Sequence, residues 1–524
     1  MPTDDRPDIV LILTDQQRAD VSRREGFALD TTPFMDSLAD EGVWFDRAYT
    51  TSPLCSPART SLLTGRFPSA HHVVQNPGAD LAVFTTDLFG VAKEAGYATA
   101  LVGKNHTYLQ PEDVDHFVDF MHDGRMEPSG DAVEDGFDSW LAALRHRTTT
   151  APTPFPVEVQ NPPRIVDETL AWVEQVPADQ PMLVLVSFPE PHNPYQVPEP
   201  YFSMFPPELL PDVRVGAEAL ADQPFTWQYL RELGEQGTDD YAEAIPRSRS
   251  NYFGMLRLID DQVRRLHEGL EARHAGRRRV IAATADHGDF VGEFGLVRKG
   301  AEIPDVLARV PLLVHGDGIA PVDPVRSATD GAAPHSAHVS LADLMPTFCE
   351  AMGRPAPVGV QGRSLWPLLT GAPYPAGEFA SVYVEQGMGG LPYEAHDVPD
   401  PMPGLIHDGP GGAPRWDELN AVTQSGRRRK VRSGDWTLLA EMTGRFRMYN
   451  LVEDPDELHD RWDDPDLHQI RSTLLEALAV WQMRAEDPLP DVPNGYVRKV
   501  DERGYLAPYG TLPAVQERSE AARS

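Results

Sequence analysis

Cysteine, basic charge and long apolar runs are all scarce in this chain of 524 residues. Only two cysteines occur, Cys55 and Cys349, so we do not expect a fold that rests on disulfide bonds. The 46 basic residues face 80 acidic ones, and the formal net charge of −34 argues against nucleic acid or an anionic membrane as a partner. No apolar run reaches membrane-spanning length, so we expect no membrane partner.

The first residues also lack the features of an export signal. Residues 1–8 are polar and acidic, and they contain neither the basic stretch nor the apolar stretch of a signal peptide. We therefore expect a cytoplasmic protein. Since 41% of the residues are hydrophobic, the chain can bury a large core, and its length suggests more than one structural unit.

Short apolar segments that alternate with helical segments indicate an α/β fold. Strands are predicted at residues 8–14, 98–102, 182–188, 280–285 and 311–314. Helices are predicted at residues 32–42, 87–95, 165–176 and 252–270. This alternation predicts a large, mostly parallel sheet sandwiched by helices over residues 1–375. Residues 107–163 and 190–250 read as irregular insertions over the sheet.

The remaining residues, 376–524, are predicted to form a smaller α+β subdomain. Residues 431–439 and 446–451 resemble paired antiparallel strands, and a helix is expected at 467–486. The basic run at residues 427–430 is expected to be a solvated turn, with contact to an anion as the alternative. An extended tail is expected after the helix.

The segment from Cys55 to Arg66, CSPARTSLLTGR, reads as a helix that begins at a cysteine. Pro57 suits the first turn of a helix, and Gly65 suits the residue just past its end. Cys55 would then lie at a helix N-terminus, where free amides and the helix dipole favour an anion. Arg59, one turn later, would face the same side. A buried cysteine before an ordinary helix is the structural alternative.

Polar side chains follow four predicted strands directly, at Asp15–Gln16, Lys104–His106, His192 and Asp286–His287. In parallel sheets, ligands bind beyond the carboxyl ends of the strands, so one site built from distant segments is predicted. The first and last of these groups supply carboxylate, amide and imidazole ligands for one divalent cation, with Ca²⁺, Mg²⁺ and Mn²⁺ as the options. Each group taken alone is also compatible with a helix cap, a turn or a surface loop.

The segment from Cys55 to Arg66 resembles the signature of type I sulfatases, which belong to the alkaline-phosphatase-like superfamily, and the resemblance covers most of the chain. It implies that a formylglycine-generating enzyme oxidises Cys55 to Cα-formylglycine. The hydrated aldehyde would then attack a small-molecule sulfate ester as a geminal diol. The resemblance also implies one divalent metal, with Ca²⁺ favoured over Mn²⁺ or Mg²⁺. Its ligands would be Asp15, Gln16, residue 55, Asp286 and His287.

The resemblance assigns catalytic roles to five further residues. Lys104 and His106 match the family's Gly-Lys-x-His segment, which binds the anion and steadies the formylglycine. His192 matches its Pro-His-x-Pro segment, and Lys299 matches the lysine that follows the Asp-His-Gly block. Of these two, one would protonate the leaving alcohol. Arg59 would hold the diol or the anion.

Some positions depart from the family pattern. Asn105 stands where many members carry Trp, and Phe294 stands where many carry His. The pairs Asp-Gln and Asp-His occur together in choline-sulfatase-like enzymes and in phosphonate monoester hydrolases. Asp289 and Glu293 are expected to be solvated or to support the ligands.

The expected function is therefore hydrolysis of sulfate esters through a covalent sulfo-enzyme intermediate. A phosphonate monoester or phosphodiester hydrolase with the same machinery is the alternative. A non-catalytic binding protein of the same fold and an unmodified Cys55 thiolate that acts directly are two further alternatives.

Overall fold

The computed structural model describes residues 6–273, 276–320, 332–407, 414–489 and 503–506. Its strands, in chain order, are β1 Asp8–Asp15, β2 Val43–Trp44, β3 Ala48–Tyr49, β4 Ala98–Gly103, β5 His116–Met121, β6 Gly124–Arg125, β7 Met182–Pro191, β8 Arg279–Ala285, β9 Leu312–Gly316, β10 Val339–Ser340, β11 Ser381–Gly389, β12 Leu405–Ile406, β13 Arg415–Trp416, β14 Gly426–Ser433, β15 Trp436–Glu441 and β16 Phe446–Asn450.

The α-helices lie between these strands and after the last of them. In chain order they are α1 Pro33–Glu41, α2 Cys55–Thr64, α3 Pro68–His71, α4 Leu88–Glu94, α5 Ala132–Ala143, α6 Asn161–Val173, α7 Tyr201–Met204, α8 Phe225–Gly237, α9 Tyr241–Arg273, α10 Asp305–Ala308, α11 Leu344–Ala351, α12 Trp366–Thr370 and α13 His468–Ala485. None of the described helices is long and apolar enough to cross a bilayer.

Eight strands form the main sheet, in the order β2-β9-β8-β1-β7-β4-β5-β6. The five central strands, from β8 to β5, run parallel, and the edge strands β9, β2 and β6 are antiparallel to their neighbours. Successive residues of β1 enter different cores, because side chains alternate between the faces of a strand. Val10 and Ile12 pack with α1, α6 and α9, while Leu11 and Leu13 pack with α2, α4 and α11. The predicted sheet between helices is confirmed.

A second, antiparallel sheet of order β11-β14-β15-β16 follows in the C-terminal part, and α13 packs against it. This arrangement confirms the predicted antiparallel sheet, but the prediction of one strand over residues 431–439 is wrong. That segment is a hairpin, since β14 ends at Ser433 and β15 begins at Trp436. Most of the predicted extended tail lies outside the described residues.

The basic run at residues 427–430 is part of β14 and not the expected solvated turn. Arg428 and Lys430 are each only 1% exposed. Arg428 pairs with Glu302 at 3.1 Å and Lys430 with Glu457 at 2.7 Å. A solvated turn would leave these charges to be stabilised by water. Here buried carboxylates stabilise them instead.

The prediction of an irregular insertion at residues 107–163 is also wrong in part. Strand β5 extends the parallel sheet beside β4, and β6 and α5 follow it. The carboxyl end of β5 therefore lies on the same sheet edge as the ends of β1, β4, β7 and β8.

Helix α2 has the predicted limits. It begins at Cys55 after the extended Leu54, and it ends before Gly65, whose φ of 65° is left-handed. Every residue of α2 is buried, so the helix N-terminus lies inside the protein. Cys349 is buried within α11, as expected.

We predict that Gly103→Ala destabilises the protein more than Gly96→Ala does. Both glycines have positive φ, 112° at Gly103 and 82° at Gly96, so alanine would strain the backbone at either position. A Cβ at Gly103 would lie 1.9 Å from the Ser187 carbonyl oxygen on β7, whereas one at Gly96 has nothing within 4 Å. Gly103→Ala should lower the free energy of unfolding by about 2 kcal/mol more. Equal urea midpoints for the two variants would contradict this packing.

Candidate active site

The predicted site residues converge at the carboxyl edge of the main sheet. Asp15 ends β1, Lys104 follows β4, His192 follows β7, and Asp286 follows β8. These strands are neighbours in parallel register, so their ends lie side by side. The N-terminus of α2 brings Cys55 to the same place.

Four side chains form a compact, buried cluster. The Cys55 Sγ lies 3.3 Å from His287 Nε2 and 3.8 Å from Asp15 Oδ1. His287 Nε2 lies 3.7 Å from Asp15 Oδ1 and 3.6 Å from Asp286 Oδ1. One ligand atom from each of the four residues falls within 4.8 Å of all the others.

The donor set fits a divalent cation. His287 Nδ1 lies 2.9 Å from the Gly288 carbonyl oxygen, which can only accept, so Nδ1 carries the proton. The lone pair of Nε2 therefore faces Asp15 and Asp286, in the way that metal-binding histidines are oriented by a second hydrogen bond. Two carboxylates and an imidazole nitrogen are together suitable ligands for Ca²⁺ or Mn²⁺.

Gln16 is held beside this cluster in a strained conformation. Its φ of 71° is left-handed, which is costly for a non-glycine residue and is common at functional sites. Its backbone N–H donates to Asp286 Oδ1 at 3.0 Å, and Lys299 Nζ donates to its Oε1 at 2.9 Å. The side-chain NH₂ group of Gln16 donates a hydrogen bond to Asp289. This bond holds the amide so that its Oε1 atom faces Lys299. Asp289 is thus a buried support for Gln16 and is not solvated.

Three buried cations surround the carboxylates. Arg59 donates from Nε to Asp286 at 2.9 Å and lies 3.3 Å from Asp15 Oδ2. Lys104 pairs with Asp15, and Lys299 lies 3.5 Å from Glu418. These lysines are not the surface charges that lysine usually provides.

The cations determine the ionisation of the groups they face. Burial would raise the pKa of the Asp15 carboxyl, but Lys104 and other positive neighbours lower it well below its usual value. Burial and Asp15 would raise the pKa of the Cys55 thiol, but Lys104 and Lys299 lower it well below its usual value. Position 55 is therefore a place where the protein stabilises negative charge.

His192 joins the site, whereas His106 does not. The Nε2 of His192 accepts a hydrogen bond from Lys299 at 3.0 Å, and its Nδ1 lies 2.7 Å from the Asn193 carbonyl oxygen. His106 lies near Asp119, and its buried Nδ1 has no hydrogen-bond partner among the described residues. None of the described hydrogen bonds or ion pairs connects His106 with the cluster around Asp15.

Three residues that the sequence patterns did not reveal also contact the site. Ser187 accepts a hydrogen bond from Arg59 at 2.8 Å, and His122 lies 2.9 Å from Lys104. Glu418 reaches Lys299 from the C-terminal part of the chain. His122 follows β5, so the strand-end rule would have indicated it if β5 had been recognised. Glu418 has no such signal.

The two departures from the family pattern point away from the cluster. The Asn105 side chain donates to the Leu109 carbonyl oxygen at 2.8 Å. Phe294 packs edge-on against Trp227 with ring centroids 5.0 Å apart, in a core beside the main sheet. Both side chains are therefore engaged with other parts of the protein.

The sequence matches known proteins over most of its length. The Sulfatase family model matches residues 7–354. An arylsulfatase of Clostridium perfringens is 26% identical over 394 residues, which cover 70% of this chain and 78% of that protein. A choline-sulfatase of Rhizobium meliloti is 28% identical over 394 residues, which cover 70% of this chain and 72% of that protein.

Solved structures share the fold. A phosphonate monoester hydrolase of Agrobacterium radiobacter superposes with a TM-score of 0.71 at 23% identity, over 92% of this chain and 97% of that chain. A sulfatase-like structure from Bacteroides thetaiotaomicron gives a TM-score of 0.66 at 19% identity, over 92% and 93% of the two chains. The alkaline-phosphatase-like architecture is confirmed. Because the family match spans well over half of the sequence, the chain belongs to the sulfatase family and is a sulfuric ester hydrolase.

Proposed function

We propose that this chain hydrolyses sulfate monoesters through a formylglycine formed at position 55. The proposal rests on one observation above all. Cys55 Sγ lies at a buried helix N-terminus, 3.3 Å from His287 Nε2, in a cluster that also contains two carboxylates and three cations. This environment stabilises a negatively charged group at residue 55 and an anion beside it.

The covalent steps follow from the chemistry of an aldehyde hydrate. One hydroxyl of the diol, after losing its proton to solvent, would attack sulfur, and the bond from sulfur to the alcohol oxygen would break as the alcohol takes a proton from Lys299. Sulfate would then remain bound to residue 55. The second hydroxyl would pass its proton to the neutral Lys299, the carbonyl would re-form, and the bond from carbon to the sulfate oxygen would break. Water adds to the aldehyde and restores the diol, so no water attacks sulfur directly.

Each side chain has a role that fits its position. Asp15, Gln16, Asp286 and His287 would hold a divalent cation, which supplies charge stabilisation for the transferring group when it is bound. Arg59 and Lys104 balance the carboxylates and bind the anion. We propose Ca²⁺ as the ion, from the family resemblance.

The leaving alcohol needs a proton, and we assign the Lys299–His192 pair as its source. Burial would lower the pKa of Lys299, but Cys55, Glu418 and Asp15 raise it, so its ammonium group is charged. Burial, His122 and Lys299 keep the pKa of His192 well below its usual value, so its imidazole is neutral. Lys299 is therefore the proton donor of the pair, and His192 orients it.

Phosphonate monoester hydrolysis is the second candidate function. The Asp-Gln and Asp-His pairs are compatible with it, since the resemblance places them in phosphonate monoester hydrolases as well as in choline-sulfatase-like enzymes. A phosphonate monoester carries one negative charge, as a sulfate monoester does, so the cations do not distinguish the two. We place sulfate first because the family model that matches this chain is that of the sulfatases.

We predict that Cys55 carries the aldehyde when the chain is produced together with a formylglycine-generating enzyme. Mass spectrometry of peptides that span residues 48–66 should show the modification. Cys55→Ala should reduce sulfate ester turnover by about 10⁴-fold or more, because the nucleophile is removed. Cys349→Ala is the matched control and should retain turnover. A fully active enzyme with an unmodified Cys55 would contradict the prediction.

We predict that the enzyme needs one divalent ion at the cluster. Chelation of the metal should abolish turnover. Asp286→Ala should lower the metal content, measured by inductively coupled plasma mass spectrometry, from about one ion per chain to a small fraction of that value. The exposed Asp397→Ala should keep the metal content of the wild type. Full turnover in a metal-free preparation would refute this requirement.

We predict that sulfate esters are the better substrates. For matched sulfate and phosphonate monoesters with one leaving group, kcat/KM should favour the sulfate by about tenfold or more. A ratio that favours the phosphonate would replace the sulfatase assignment with the second candidate and leave the nucleophile and metal assignments in place.

A further inference from the structure

His122 occupies a place in the site that no recognised motif assigns. It follows β5, and its imidazole ring lies face to face with the ring of His192, with centroids 3.7 Å apart and an interplanar angle of 14°. Its Nε2 lies 2.9 Å from Lys104 Nζ. One side chain therefore contacts both the anion-binding lysine and the histidine that orients Lys299.

The hydrogen-bond roles at His122 follow from its neighbours. An ammonium group can only donate, so the Nε2 of His122 is the acceptor, and its Nδ1 must carry the proton. The same argument makes the Nε2 of His192 the acceptor for Lys299. Two imidazoles are thus stacked, and each accepts a hydrogen bond from a different lysine.

We propose that His122 is a positioning residue that keeps Lys104 and His192 in a single arrangement around the substrate anion. Lys104 has two acceptors here, Asp15 and His122, and these direct its ammonium group from two sides. The flat contact with His122 restricts rotation of the His192 ring and so keeps its Nε2 on Lys299. The inference rests on the proposed function, since it assigns Lys104 to the anion and Lys299 to the leaving group.

Two substitutions separate the two contacts. His122→Phe keeps a flat ring against His192 but removes the acceptor for Lys104. His122→Gln keeps an acceptor oxygen for Lys104 but removes the ring. His116→Phe is the matched control, because His116 begins β5, the strand that His122 follows. Its ring stacks on that of Trp172 with centroids 6.2 Å apart, and it makes no described contact with the site.

The first readout is binding of inorganic sulfate to the metal-loaded enzyme, measured by isothermal titration calorimetry. His122→Phe should weaken sulfate binding about tenfold, because a hydrogen bond that directs a buried ammonium group is lost. His116→Phe should stay within about twofold of the wild type, and His122→Gln should bind sulfate more tightly than His122→Phe because it keeps an acceptor for Lys104. Equal binding by His122→Phe and His116→Phe, with similar melting temperatures, would overturn the proposed contact with Lys104.

The second readout is the dependence of kcat on the leaving group, for aryl sulfates whose phenols span about five pKa units. His122→Gln should lower kcat most for the least acidic phenols, since misplaced His192 and Lys299 affect proton donation. His122→Phe should keep the slope of the wild type and raise KM for every ester. A slope that His122→Gln leaves unchanged would overturn the proposed contact with His192.

The two readouts distinguish this inference from the proposed function. If the wild type binds sulfate but hydrolyses no sulfate ester, the proposed function fails. In that case the contrast in sulfate binding between His122→Phe and His122→Gln still supports or overturns the role of His122.

Discussion

The need to balance buried charge at the carboxyl edge of the main sheet governs this site. Asp15 and Asp286 are completely buried, and buried carboxylates persist only where cations and hydrogen bonds compensate them. Arg59 meets both carboxylates, and Lys104 adds a second charge to Asp15. Because these groups are buried, their interactions are stronger than they would be at the surface. An anion or a cation that enters therefore meets a site that is already organised for it.

The same constraint explains why the C-terminal part of the chain belongs to the site. Lys299 has Gln16 and His192 as partners, neither of which carries a compensating charge, and Glu418 provides one at 3.5 Å. The second sheet is joined to the rest of the protein by similar buried pairs, such as Arg428 with Glu302. Separation of the two parts would leave these charges unpaired, so these ion pairs favour the docked arrangement.

The sequence predicts most of the site, because strand ends and helix starts can be read from local patterns. Asp15, Lys104 and His192 follow apolar strands, and the proline and glycine around α2 place Cys55 at its N-terminus. Local sequence patterns do not predict the role of a residue whose partner lies far away in the sequence. The basic run at 427–430 is typical of a solvated turn until its carboxylate partners are known, and Glu418 has no local signal. His122 was missed because β5, with half-exposed residues at five of six positions, lacks the apolar run of a buried strand.

A crystal structure of the formylglycine form, grown with inorganic sulfate and measured at a wavelength that reveals the metal, tests this account most directly. The account predicts an anomalous peak among Asp15, Asp286 and His287. It also predicts that sulfate oxygens lie within hydrogen-bond distance of Lys104 and Lys299, beside the diol of residue 55. A metal peak elsewhere, or a sulfate ion that contacts neither lysine, would contradict the claim that this buried cluster is the centre of the chemistry.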